Sequence, residues 1–147
     1  MNDHREQVLR IERTFAAPAE RVFEAWTSEE VLRRWLHGMP GWETPTAEVD
    51  LRVGGTIRIV MRDPADGTEA GATGEYRVVD PPHRLVFTWI WDHERDRPQL
   101  IELEFTERDG TTTVLMTNSS IPTQEGRESQ RRGWDYCYDN LERLLAG

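Results

Sequence analysis

Residues 84–92 read Arg-Leu-Val-Phe-Thr-Trp-Ile-Trp-Asp. In an extended chain successive side chains point to opposite faces, so Leu85, Phe87, Trp89 and Trp91 share one face. Val86 and Ile90 make the other face apolar as well, the pattern of a strand with neighbours on both sides. The stretch is therefore expected in the middle of a sheet, with the tryptophan-bearing face inward. Downstream, 99–107 and 111–119 flank Arg108-Asp109-Gly110, a hairpin turn. If Phe105 and Val114 share the inner face, Met116 and Asn118 lie there too, with Asn118 near Ile101.

Upstream, 75–80 reads as a strand that ends at Pro81-Pro82, preceded by a turn-rich connection from Pro64 to Gly74. Ala47, Val49, Leu51 and Val53 alternate with Glu48, Asp50 and Arg52, and Ile57, Ile59 and Met61 alternate with Arg58 and Arg62. Gly54-Gly55-Thr56 between them suggests a three-residue hairpin that sets Val53 opposite Ile57, Leu51 opposite Ile59 and Glu48 opposite Arg62. Residues 8–15 alternate as a first strand. Pro18 suits a first helical turn, with Val22, Phe23 and Trp26 at helical spacing behind it. Ser28 is a good N-cap for a second helix carrying Val31, Leu32, Trp35 and Leu36. His37 to Trp42 then forms a loop rich in Gly and Pro. The segment 124–146 reads as one long helix with Trp134, Cys137, Tyr138, Leu141, Leu144 and Leu145 on one stripe.

The order is strand, two short helices, about six antiparallel strands and a long helix, an α+β class. A curved antiparallel sheet has one face to cover, and the last helix is long enough to cover it. A gap is expected where the short helices and loops meet the end of the sheet.

Composition supports a folded chain less directly. Val, Ile, Leu and Phe number 31 of 147 residues, and 27 acidic residues against 18 basic give a net charge of −9. Both figures sit near the compositional edge of disorder. Six tryptophans and three tyrosines offset them, because each such ring buries on the order of 150–250 Å². One domain spanning 1–147 is expected, with residues 1–7 flexible. No apolar run approaches a membrane span, and no leader follows Met1, so a cytoplasmic location without membrane contact is expected. Every basic residue is Arg. A net acidic chain argues against nucleic-acid binding. Cys137 is the sole cysteine and the four histidines are scattered, so no metal site and no cofactor are expected.

The tryptophans flanking the gap carry the first functional expectation. Trp35, Trp42, Trp89, Trp91 and Trp134, with Met61, Asn118 and Tyr138, are expected to line an apolar pocket, with His37 as a further ligand contact, although any one ring can instead serve as core. His37, in the loop beside Trp35 and Trp42, has a side chain suited to acid–base work, or to plain solvation. Asn118 puts an amide on an inner face, where it needs a partner from backbone, water or ligand. Asp50, Arg52, Glu102, Glu104 and His93 read as solvent-facing, and Cys137 as a small core residue.

The segments together resemble the bacterial relatives of the activator of heat-shock protein 90 ATPase, within the START-like helix-grip superfamily also called SRPBCC. The resemblance rests on Phe15-Ala16-Ala17-Pro18 before Val22-Phe23-x-Ala25-Trp26, on Ala47 to Gly55, on Gly74-x-Tyr76 and on Pro82-x-x-Leu85-Val86-Phe87-Thr88-Trp89. It closes on Gly133-Trp134 and Asn140-Leu141. It implies a seven-stranded antiparallel sheet gripping a long C-terminal helix, with an internal pocket. Relatives often place His where Asn118 stands, so any proton-transfer role is weakened here. Three functions follow: a binding protein for a small apolar or aromatic molecule, a cyclase- or hydrolase-type enzyme using His37, Asn118 and Tyr138, or a chaperone ATPase co-regulator. A monomer or homodimer fits all three.

Overall fold

The computed structural model describes residues 8–146; the expected flexibility of 1–7 lies outside the described residues. Among the described residues the chain forms β1 (Leu9–Phe15), α1 (Ala19–Thr27), α2 (Glu29–Trp35), β2 (Glu43–Val49), β3 (Thr56–Arg62), β4 (Glu69–Asp80), β5 (Arg84–Trp91), β6 (Gln99–Arg108), β7 (Thr111–Asn118) and α3 (Gln124–Ala146). A short 3-10 turn, Asp92–Glu94, follows β5. The strands form one antiparallel sheet in the order β1-β7-β6-β5-β4-β3-β2, so β5 is central, as its two apolar faces require. Asp109 and Gly110 both take positive φ, 53° and 80°, in the β6–β7 turn. That is the two-residue hairpin geometry that matches strand twist.

Helices close the open edges of the sheet. The Val49 amide on edge strand β2 donates to Glu29 Oε2 of α2 (2.8 Å), and Arg33 of α2 donates to the Ala47 carbonyl (3.3 Å). At the opposite edge, Arg131 of α3 donates to the Arg10 carbonyl of β1 (2.7 Å), and Arg13 pairs with Asp139 and Glu142 of α3. Free backbone groups on an edge strand invite pairing with other chains, and these side chains occupy them. Ser28 accepts from the Val31 amide as the N-cap of α2.

The grip is filled with rings. Trp26, Trp35, Tyr138, Phe15, Phe87 and Tyr76 are fully buried between sheet and helices. Trp26 makes an edge contact with Trp35 at 4.7 Å and lies 5.7 Å from Trp134, while Trp35 stacks on Tyr138 at 6.2 Å. From α3, Trp134, Cys137, Tyr138, Leu141 and Leu145 enter this core, with Leu144 at its margin.

Three sequence expectations are corrected. β2 runs from 43 to 49, not from 46 to 53, and pairs Val49 with Ile57 and Ala47 with Ile59. Leu51 and Val53 are 40% and 64% exposed. The chain turns earlier because residues 50–55 form a loop of their own. Asp50 N–H donates to the Thr56 carbonyl, Gly55 N–H donates to Arg52, and Gly54 takes φ +85°. The loop then joins β4, with Gly54 donating to Tyr76 and Tyr76 donating to Gly55. The shift is by an even number of residues, so the inward face is unchanged while the pairing moves.

The same shift replaces the expected Glu48–Arg62 pairing: Glu48 lies opposite Arg58, and Arg62 reaches Glu43 at 3.4 Å. Finally, β4 begins at Glu69 rather than 75. Its Gly and Ala residues have weak strand propensity, but backbone packing requires Gly74, and side-chain tips crowd Gly71. A Cβ on Gly74 would stand 1.9 Å from the Thr88 carbonyl oxygen, and one on Gly71 would stand 2.5 Å from Asp92.

Candidate functional site

A cleft of about 670 Å³ lies where the loop after α2, the β4–β5 end of the sheet and the N-terminal half of α3 converge. Of the sequence-named residues, Trp42, Met61, Trp89, Trp91 and Trp134 lie on its wall. Trp89 and Trp134 are buried and show little surface, whereas Trp42 and Trp91 are half-buried and more accessible. Met39, 46% exposed, adds a flexible apolar side chain at the rim. Backbone closeness shapes the back of the site. Gly38 packs on Gly133 so tightly that a Cβ there would meet Gly133 Cα at 3.3 Å. The loop thereby sits directly on the helix, and Trp42 at its end is on the cleft wall.

The other named residues lie elsewhere. Trp35 is fully buried, and its indole donates to the Ala25 carbonyl at 2.9 Å. Tyr138 is fully buried with its hydroxyl on Met116 Sδ at 3.4 Å, and burial pushes its phenol far above the usual range. His37 is half-buried between two wall residues, with its ring 3.4 Å from Thr44 Oγ1 and 6.4 Å from the ring of Tyr136; burial lowers its pKa from the ordinary 6.5. Asn118 lies behind the wall and donates to Gln130 Oε1 at 3.2 Å, and Gln130 is on the wall. His37, Asn118 and Tyr138 thus each have a separate neighbourhood, with no hydrogen bond among the three.

Cys137 borders the cleft, but burial pushes its thiol up to about 12, so it stays protonated and unreactive. Among the described residues no cluster of three His, Cys, Asp or Glu side chains could hold a metal.

Polar residues complete the site. His93, exposed as the sequence suggests, stands at the rim with Glu94, Arg132 and Gln130, which the sequence reading passed over. The turn carrying His93 and Glu94 is pinned by Arg58, whose guanidinium grips both carboxylate oxygens of Asp92 at 2.8 and 2.9 Å. That hydrogen-bonded pair holds the Asp92 carboxyl below its ordinary 3.8.

Deeper in, three buried polar atoms on the inner face of β5, β6 and β7 have no hydrogen-bond partner among the described residues: Trp89 Nε1, Gln99 Oε1 and Asn118 Oδ1. Each costs on the order of 1–3 kcal/mol if left unpaired. Trp26 Nε1 and Tyr76 Oη are also unpaired but belong to α1 and β4, outside this three-strand face; of the three residues on it, Trp89 alone is itself on the cleft wall. Alternation predicts Gln99 on this face, since Ile101, Leu103 and Phe105 point the same way.

A seven-stranded antiparallel sheet curled around a C-terminal helix, with two short helices after the first strand, is the helix-grip architecture of START-like proteins. Solved structures agree. A protein from Rhodobacter sphaeroides superposes with a TM-score of 0.82 at 29% identity, covering 95% of this chain and 93% of that one. The AHSA1 protein from Silicibacter pomeroyi does so with a TM-score of 0.82 at 25% identity, covering 95% and 97%. Residues 16–146 match the family described as Activator of Hsp90 ATPase homolog 1-like protein, and the chain belongs to that family. The human Activator of 90 kDa heat shock protein ATPase homolog 1 is 22% identical over 143 residues, covering 94% of this chain. The chain spans 37% of that relative's length. Among the described residues no helix is long and apolar enough to cross a membrane.

Proposed function

We propose that this chain binds a small apolar or aromatic molecule in the cleft at the mouth of its grip. The observation that carries this reading is a concave site of about 670 Å³ bordered by Trp42, Trp91, Met61, Trp89 and Trp134. Its size falls within the range of small-molecule sites, and its apolar wall carries a few polar groups of the kind that orient a ligand. Titration with the neutral fluorophore N-phenyl-1-naphthylamine tests it. Saturable one-to-one emission is expected, weakened several-fold in Trp91→Ala and in Trp42→Ala. An unsaturable signal that ignores both substitutions contradicts the reading.

A second reading, chaperone ATPase co-regulation, is favoured by the family and by the name of the human relative. A pull-down with the host's own 90 kDa heat-shock chaperone, at low and moderate salt, tests it. A salt-sensitive complex supports the reading, and no complex at either salt contradicts it.

A further inference from the structure

The three unpaired buried atoms near the cleft are close neighbours in the fold. Trp89 lies directly opposite Gln99 in the β5–β6 register, and Asn118 lies directly opposite Ile101 in the β6–β7 register. Gln99 and Ile101 share a face, so Trp89, Gln99 and Asn118 form one patch across three adjacent strands. All three are at least nine-tenths buried, at 2%, 3% and 0% exposure. The patch touches the cleft at two points, through Trp89 itself and through Gln130, which caps Asn118. Gln130 is half-buried and makes that single side-chain bond among the described residues, so it is the part of the wall able to yield.

What the patch offers is two carbonyl-type acceptors, Gln99 Oε1 and Asn118 Oδ1, and one donor, the Trp89 indole N–H. The complement is a head group with two donors and one acceptor. A primary carboxamide has that inventory. The patch holds no charged side chain: Glu94, His93 and Arg132 stand at the rim, where they are half-buried or exposed. A carboxylate placed here would be buried without a counter-charge, which is strongly disfavoured.

We propose that Trp89, Gln99 and Asn118 form a polar seat behind the cleft wall, reached when the Gln130 side chain moves aside, selecting aromatic ligands that end in a neutral primary carboxamide. This rests on the reading of the cleft as a ligand site, and its test separates the two. The full chain is titrated calorimetrically with naphthalene, naphthalene-2-carboxamide and 2-naphthoate, which share one ring system.

The carboxamide is expected to bind at least ~10-fold more tightly than naphthalene, and 2-naphthoate more weakly than either. In Asn118→Leu and in Gln99→Met the carboxamide preference shrinks to about twofold or less, while naphthalene binds as before. Gln99→Met keeps or raises the thermal midpoint, because an unpaired buried acceptor is removed, whereas Asn118→Leu also gives up its bond to Gln130 and stays near the wild-type midpoint. The Trp89 indole N–H resonance, assigned with Trp89→Phe, moves downfield with the carboxamide and not with naphthalene.

Equal affinity for naphthalene and the carboxamide overturns the proposal and leaves the cleft reading standing, with the patch holding ordered water only. A preference that survives both substitutions, or an unmoved Trp89 resonance, also overturns it. If none of the three compounds binds, the cleft reading falls and the seat with it.

Discussion

Truncating Trp35 to alanine removes a ring with no exposed surface, an edge contact with Trp26 at 4.7 Å, a stack on Tyr138 at 6.2 Å and a 2.9 Å hydrogen bond to the Ala25 carbonyl. Taking about 200 Å² for the buried ring at roughly 25 cal/mol per Å² gives a transfer loss near 5 kcal/mol. Lost ring pairing and the broken hydrogen bond add to this, and partial collapse of the surroundings subtracts, so about 4 kcal/mol is expected, within the usual range for such truncations. That is a large share of the ~5–15 kcal/mol that holds a domain folded. Trp35→Phe keeps an aromatic ring and should cost about 2 kcal/mol, which keeps the measurement within reach if the alanine variant unfolds.

Trp42→Ala is the control. Its ring is half-buried on the cleft wall, and its loss should cost no more than about 1.5 kcal/mol. Urea unfolding followed by circular dichroism gives all three from midpoints at constant slope. If Trp35→Phe and Trp42→Ala destabilise equally, or if Trp35→Ala costs under about 1.5 kcal/mol, the division between rings that fill the grip and rings that border the cleft is wrong.

Other outcomes follow from the same geometry. Gly74→Ala forces a Cβ to within 1.9 Å of the Thr88 carbonyl oxygen and should cost more than about 3 kcal/mol in thermal or urea unfolding. Arg58→Met removes the grip on Asp92 and should cost under about 1 kcal/mol at neutral pH, since the pair is partly exposed. Because the folded Asp92 pKa lies below its ordinary 3.8, this contribution is present above that value and disappears as pH falls through the folded pKa. Wild type and variant should therefore converge in stability at the acid end of a pH series. His37 should titrate below 6.5 by NMR, because burial disfavours its charged form. Here the unfolded chain binds the proton more readily, so its presence lowers stability as pH falls from 6.5 through the folded pKa, and His37→Gln should flatten that part of the profile.

Much of the fold is legible in the residues themselves. The two apolar faces of 84–91 place β5 at the centre, Asp109-Gly110 fixes the β6–β7 hairpin, and Ser28 marks the start of α2. The end of β2 is not legible. Apolar alternation continues unbroken through Leu51 and Val53, so periodicity carries no mark of the turn, which backbone bonds from Asp50, Gly54 and Gly55 impose. The start of β4 is hidden for the opposite reason: Gly71 and Gly74 weaken the strand signal, while at Gly74 the β5 backbone leaves no room for a side chain.

In the site, strand parity turns Trp89 and Trp91 toward the opening. Parity says nothing about the separation of Trp35 from Trp42, seven residues apart in sequence, which depends on the packing of α2 against α3. Gln99 was legible, since it shares parity with Ile101 and Leu103. Gln130 was not, because a polar residue on a mostly polar helical turn reads as solvated.

The account turns on the cleft being the place where a small molecule is held. A nitrogen–proton correlation spectrum recorded during titration with N-phenyl-1-naphthylamine examines that directly, because Gly38, Gly126 and Gly133 all border the site and glycine amides are readily separated. Saturable shifts at these three amides, with Phe15 and Leu141 in the packed core unmoved, are expected. Shifts centred instead on the exposed loop at Leu51 and Val53, or no saturable shift at the three glycines, would contradict the account.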